Sequence, residues 1–234
     1  MRGIDFSLVL KEVFPLLMRG IVITVETTVF ALIIALVLGL FFCLLGMSKI
    51  GILRLFAKGY IWVIRGTPLL VQTFFIYFGI PQLIQSFGFN FRLSPLAAGI
   101  VTLSMNAGAY IAEIFRGGIQ AIDHGQMEAA RSLGLSHYRA MFKIILPQAV
   151  RVSIPSLVNQ FIISLKDTSI ISVVSLAEIV YQAKIYIGRT MQSFATWTIV
   201  GLFYLAIITV LSQISMHVEK KLDYGQKSRR QGTV

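Results

Sequence analysis

Charge is scarce in this sequence. Asp, Glu, Lys and Arg make up 13% of its 234 residues, where a soluble domain of this size carries about a quarter. So few charges cannot solvate a globular surface, and the solvent for most of the chain must be lipid. Cysteine is nearly absent too: the single Cys43 excludes an internal disulfide and a cysteine-based metal site. The three histidines, His124, His137 and His217, have no metal-ligand spacing. No Gly-x-x-x-x-Gly-Lys-Ser/Thr phosphate loop occurs, so the chain is not expected to hydrolyse ATP or bind a cofactor itself. Acidic residues are fewer than basic ones, 10 against 21, for a net charge of +11. That excess does not indicate nucleic acid, because the basic residues cluster beside apolar runs and read as anchors against anionic lipid.

Apolar residues are abundant: 56% of the chain is hydrophobic, and the mean hydropathy is +0.79. A membrane-crossing helix needs about 20 such residues, and five runs qualify. The first is uncharged from Thr27 to Ser48 and starts near Gly20. The others cover Tyr60–Phe87, Pro95–Gly118, Val152–Ala177 and Thr190–Val218. The expected architecture is an all-α integral membrane protein of five transmembrane helices over residues 20–218, with the second and fourth broken. Residues 1–19 are expected to form an external amphipathic segment at the membrane surface, with Phe6, Leu8, Val9, Val13 and Phe14 on its apolar side. Asp5 and Glu12 argue against a cleavable signal there. Residues 219–234 form a basic tail.

Lysines and arginines in the connectors set the orientation. Twelve fall on the side of Lys49, Arg131, Lys143 and the tail, against six on the other. The positive-inside rule puts the richer side in the cytoplasm and the N-terminus outside.

Polar residues inside spans are costly and suggest function. On the third span Thr102, Asn106, Tyr110 and Glu113 recur at helical spacing as one stripe. Asn106 and Tyr110 fit either helix-to-helix bonding or ligand contact. Glu113 is harder to explain as glue, although Arg116 lies three residues on. The fourth span carries Ser156, Asn159 and Lys166 on one face, with Asp167 beside them at the span's midpoint. Lys166 and Asp167 can neutralise one another, pair across a subunit interface, or face a zwitterionic solute. In the second span Gly66-Thr67-Pro68 frees backbone groups, which bind small charged groups well, and Gln72 lies within reach. A structural kink is the alternative there.

The most polar stretch in the middle of the chain is Glu128–Pro147, EAARSLGLSHYRAMFKIILP. It reads as two short helices with a hinge. Glu128 is expected in the first turn, Gly134 at a left-handed helix stop, Ser136 as a second N-cap, and Pro147 as a bend.

Glu128-Ala129-Ala130 with Gly134 and Ile144–Pro147 resembles the EAA loop of ABC importer permeases. Arg65–Leu70 with Gln72, Ala109-Tyr110 with Glu113 and Arg116-Gly117-Gly118, and Leu165–Ser169 resemble signatures of its polar amino acid subfamily, of the histidine, glutamine and arginine type. The resemblance covers nearly the whole chain. It implies a type I importer fold in which a loop at about 123–147 docks through Glu128, Ala129, Ala130, Gly134 and Leu135 on a cytoplasmic ABC ATPase dimer that holds ATP and Mg. It further implies a second permease subunit, identical or a close paralogue, and an extracytoplasmic substrate-binding protein. The substrate-site candidates are Thr67, Leu70, Gln72, Asn106, Tyr110, Glu113, Asn159, Lys166 and Asp167. The Glu113 carboxylate leans the substrate towards a basic amino acid. An ion-driven secondary transporter is the competing class, but five spans do not divide into the two equal halves of an inverted repeat.

Overall fold

The computed structural model describes residues 5–231, with side-chain surroundings as far as His217. All regular structure among these residues is helical. Helix α1 runs unbroken from Phe6 to Gly46, about 60 Å at 1.5 Å per residue. Asp5 caps its start: hydrogen bonds from the Leu8 N–H and from Ser7 hold its carboxyl below the usual carboxylate range. Helix α2 spans Gly51–Gly66, and α3 spans Leu69–Ser86 with one π-helical turn at Phe75–Gly79. Helix α4, Pro95–Gln120, starts with Ser94 as cap and proline in its first turn. Helix α5 is His124–Ser132. Helix α6, His137–Val174, contains a π-helical turn at Met141–Ile145 and closes with a 3₁₀ turn at Ser172–Val174. Helices α7, Ile179–Thr190, and α8, Ser193–Gln231, complete the chain. Five stretches are long and apolar enough to cross a membrane, in α1, α3, α4, α6 and Ser193–His217 of α8.

The packing centres on the pairing of α1 with α4. The buried residues of α1 fall on one stripe from Val9 through Leu17, Thr24, Ala31 and Ala35 to Gly39 and Phe42. Small residues along it let the backbones approach: a Cβ on Gly39 would collide with the side chain of Ile111 and lie 3.1 Å from the Ala112 nitrogen. Thr24 and Thr28 turn their hydroxyls onto carbonyls one turn back in their own helix, which hides polar atoms from lipid. Helix α6 closes the other side of α4, where a Cβ on Gly118 would stand 2.8 Å from the Ala149 carbonyl oxygen. One core cluster joins Ala35, Phe42, Ile111, Phe115, Ile145 and Ala149 near the α4–α6 connection, here termed the loop end. Another joins Val9, Val13 and Leu17 to α7 and the start of α8 at the far end.

Several sequence expectations change. Residues 6–19 are no separate surface segment: they continue into the first span, and Val9, Val13 and Leu17 are buried against Ile179, Ala183 and Ile199. The run from Tyr60 divides at Thr67-Pro68, so its first seven residues belong to the amphipathic α2 and the span itself starts at Leu69. The fourth span does not break at Lys166-Asp167. Its helix continues through Ile171, and the chain turns only at Ser175, which has φ 66°. Pro147 lies within α6, two residues after its π-helical turn, and the helix continues through it. The side chains of the basic tail lie outside the described residues.

Candidate functional site

The break in the second span is built by three residues. Helix α2 stops at Gly66, Thr67 and Pro68 are extended with ψ 145° and 138°, and α3 starts at Leu69. Proline disfavours helix in the residue before it, so Thr67 leaves the helix and carbonyls at the end of α2 lose their partners. Gln72 supplies them. Its buried side-chain amide donates to the carbonyl of Ile64 at 2.7 Å, to that of Thr67 at 3.0 Å, and to the Thr67 hydroxyl at 2.9 Å. Its oxygen accepts from Asn106 Nδ2 at 3.1 Å. Gln72 and Asn106 therefore brace the break against α4 and present little surface. Thr67 and Leu70 lie on the open side and are exposed. Tyr60 adds a second brace: its hydroxyl donates to the Met105 carbonyl at 2.6 Å and its ring stacks on Phe42 at 3.8 Å.

The stripe on α4 divides into two functions. Thr102 bonds its own helix through the Ala98 carbonyl, and Asn106 serves the break. Tyr110 and Glu113 face an open zone towards the loop end. Arg116 holds Glu113 through two nitrogens, Nη2 at 2.5 Å and Nε at 3.1 Å. Arg65, from the last turn of α2, lies 5.2 Å above the Tyr110 ring and 3.6 Å from Glu113 Oε2. Glu113 thus faces two guanidinium groups, one of them across helices. Sequence reasoning did not name Arg65 among the candidates, although it supports Tyr110 and Glu113 from a second helix. The signal was a charge two residues before a break, on a different helix from an otherwise unexplained carboxylate.

On α6, Ser156, Asn159 and Lys166 share one exposed face, and Asp167 is half-buried beside them. The structure does not join this face to the Gln72–Asn106 or Arg65–Glu113 groups by a hydrogen bond or ion pair among the described residues. Lys166 and Asp167 make no ion pair with each other there either.

The α4–α6 connection contains the first short helix and the hinge expected of it; the second expected short helix is instead the start of the long α6. Asp123, not Glu128, occupies the start of α5, its carboxylate accepting from the Gly125 N–H at 2.7 Å. Glu128 is the fifth residue of the helix and is exposed. At the other end the Gly134 N–H donates to the Arg131 carbonyl and the Leu135 N–H to that of Ala130. This paired closure requires a left-handed residue, and Gly134 has φ +84°. Ser136 caps the next turn by accepting from the Arg139 N–H. Ala130 and Ala140 are buried, whereas Leu133 and Tyr138 are 84% and 75% exposed. Composition alone had not singled out these two open apolar side chains on a short polar stretch.

Comparison with known proteins places this architecture. Residues 35–224 match the family described as binding-protein-dependent transport system inner membrane component. The chain is 38% identical over 222 residues to the L-cystine transport system permease protein TcyB of Bacillus subtilis (strain 168), covering 94% of this chain and 92% of that one. It is 40% identical over 211 residues to the glutamine transport system permease protein GlnP of Escherichia coli (strain K12), covering 89% and 93%. A crystal structure of an amino acid ABC transporter with histidines superposes with a TM-score of 0.85 at 40% identity, over 94% of this chain and 99% of that one. A MetNI methionine ABC transporter chain at 17% identity shares the fold, with a TM-score of 0.73 over 89% and 97%. A broken second span braced onto a polar central helix, a capped two-helix loop and these likenesses lead to one assignment: the chain belongs to the binding-protein-dependent transport system inner membrane components, as an amino acid ABC transporter permease.

Proposed function

We propose that this chain forms half of the translocation path of an ATP-driven importer of polar amino acids. The break at Thr67-Pro68 carries the reading. It opens Thr67 and Leu70 to an exposed zone while Gln72 and Asn106 hold the broken ends in place from behind. Unwound backbone beside a helix end suits the charged groups of an amino acid. Tyr110 and Glu113 continue the lining towards the loop end, and Asn159, Lys166 and Asp167 supply the facing wall from α6. Basic amino acids remain within the proposed range, but Glu113 already meets Arg65 and Arg116, which weakens the lean towards them.

The α5 loop is the docking element for an ABC ATPase dimer, which holds ATP and Mg. Its contact face is Glu128, Ala129 and Leu133, with Ala130, Gly134 and Leu135 setting its shape and Tyr138 extending it. A second permease subunit and an extracytoplasmic substrate-binding protein complete the complex. The loop end is cytoplasmic, because the connectors on that side carry more lysine and arginine. Reconstitution in liposomes with the ATPase and the cognate binding protein tests the reading: polar amino acids should stimulate ATP hydrolysis and accumulate inside. Stimulation by none of a panel of arginine, lysine, histidine, glutamine and cystine would overturn it.

A further inference from the structure

We propose that Arg65 is a positioning residue that ties the break in the second span to the angle of the coupling helix; this rests on the transport reading above. Three observations converge. Arg65 sits two residues before Thr67, so any rearrangement of the break moves its backbone directly. Its side chain leaves α2, crosses the face of Tyr110 at 5.2 Å and reaches Glu113 at 3.6 Å. Glu113 is gripped by Arg116, and Arg116 Nη1 lies 3.3 Å from Oε1 of Gln120, the last residue of α4. Three residues further on, Asp123 caps α5. A run of polar side chains therefore leads from the break to Gln120 at the end of α4, and three residues of backbone join it to the Asp123 cap of the coupling helix. From Glu113 to Gln120 it covers about 10 Å of helix axis.

The two cationic contacts on Glu113 differ in kind. Arg116 is on the same helix, bidentate and close, and it balances the carboxylate alone. Arg65 comes from another helix, makes one longer contact, and has 43% of its side chain exposed. Exposed ion pairs of this sort contribute little net stability, so the Arg65 contact can release without stranding a bare carboxylate at depth. A contact made and broken in each transport cycle needs that property. With Arg65 engaged, α2 and α4 move as one body. With it released, the segment around Thr67 shifts independently, and the end of α4 that carries α5 is held less firmly.

The test uses the complete transporter in liposomes, with basal and substrate-stimulated ATP hydrolysis read for Arg65→Ala and Arg65→Lys. Arg65→Ala should assemble with the ATPase and keep basal hydrolysis, while stimulation by substrate falls by about fivefold or more, the lower end of typical coupling between sites. Arg65→Lys should retain most of the stimulation that Arg65→Ala loses. Full stimulation in Arg65→Ala, or an equal fall in basal and stimulated rates, would overturn the proposal. So would an Arg65→Lys no better than Arg65→Ala. Amide hydrogen exchange over residues 124–132 of the permease gives a readout independent of transport: Arg65→Ala should speed exchange there, and unchanged exchange counts against the link. If the wild-type complex responds to no amino acid, the transport reading fails, and hydrogen exchange still decides whether Arg65 reaches the coupling helix.

Discussion

Helices α4 and α8 both cross the membrane, yet their compositions are inverted relative to their burial. In α4, 61% of the apolar stretch is buried, and its interior residues include Gly99, Thr102, Ser104, Asn106, Gly108 and Gly118. In α8 only 22% is buried, and Leu202, Leu205, Val210 and Ile214 point outward. In water the apolar helix would be the central one. In lipid, bulky aliphatic side chains face the solvent at no cost, and close approach together with hydrogen bonding selects the centre. Helix α4 thus supplies both the packing and the candidate chemistry, and α8 mainly separates them from the bilayer.

Four substitutions test that contrast. The largest effect is expected for Gly118→Val in α4, where the added atoms meet the Ala149 carbonyl and the Ser153 hydroxyl. Overpacking of this kind costs about 1–3 kcal/mol, and thermal unfolding in detergent should show it. Gly201 in α8 has nothing within 4 Å of its would-be Cβ, so Gly201→Ala should be neutral or slightly stabilising. Equal effects at the two glycines would erase the distinction between the helices. Next comes Gln72→Leu, which keeps the bulk but leaves the buried Ile64 carbonyl without this donor, while the carbonyl of the exposed Thr67 can turn to solvent. Each unsatisfied group costs about 1–3 kcal/mol. Asn106→Leu loses a single bond and should unfold at a temperature between wild type and Gln72→Leu.

A smaller stability change, about 1–2 kcal/mol for a left-handed non-glycine residue, is expected for Gly134→Val. Its main consequence is functional: the five spans stay folded, but pull-down of the ATPase or its stimulation by substrate fails. Normal assembly with normal stimulation would remove the coupling role from this loop. The smallest effect belongs to Lys166→Ala. Lys166 is exposed and makes no ion pair with Asp167 among the described residues, so stability should change within about 0.5 kcal/mol, as at an ordinary surface site. A loss of several kcal/mol would mean that the charge is paired in a dry environment after all.

The sequence was most legible where one residue type has one physical solution. Gly134 at a left-handed stop, Ser136 as a cap, and proline after Thr67 each appeared where the chemistry requires them. The five spans were visible because uncharged runs of that length have few alternatives. The boundaries were less legible. Helix α1 carries Lys11, Glu12 and Arg19 within one continuous helix, and charge alone suggested an interruption that helix geometry does not require. The Ile179–Thr190 helix was missed because its composition is mixed and its cap is a glutamate whose burial depends on a distant helix. Glu178 is fully buried, bonding the Tyr181 N–H at 2.6 Å and the Tyr204 hydroxyl at 3.3 Å. Of the candidate site, the helices that carry each polar residue were readable. The division of Gln72 and Asn106 from Thr67 and Leu70 was not, because it depends on which side of a break each side chain falls.

The π-helical turn at Met141–Ile145 has a consequence for how this chain tolerates length changes. Such a turn takes in one residue more than an ordinary helical turn, so every residue after it is rotated by about 100° relative to an uninterrupted helix. Asn159, Lys166 and Asp167 lie downstream, and their compass bearing is set there rather than where they stand. Deleting a single residue from Met141–Ile145 would make α6 more regular while swinging that polar face towards a different neighbour. A one-residue deletion at this turn would therefore disturb the candidate site more than many side-chain replacements within it, although the turn lies some five helical turns away.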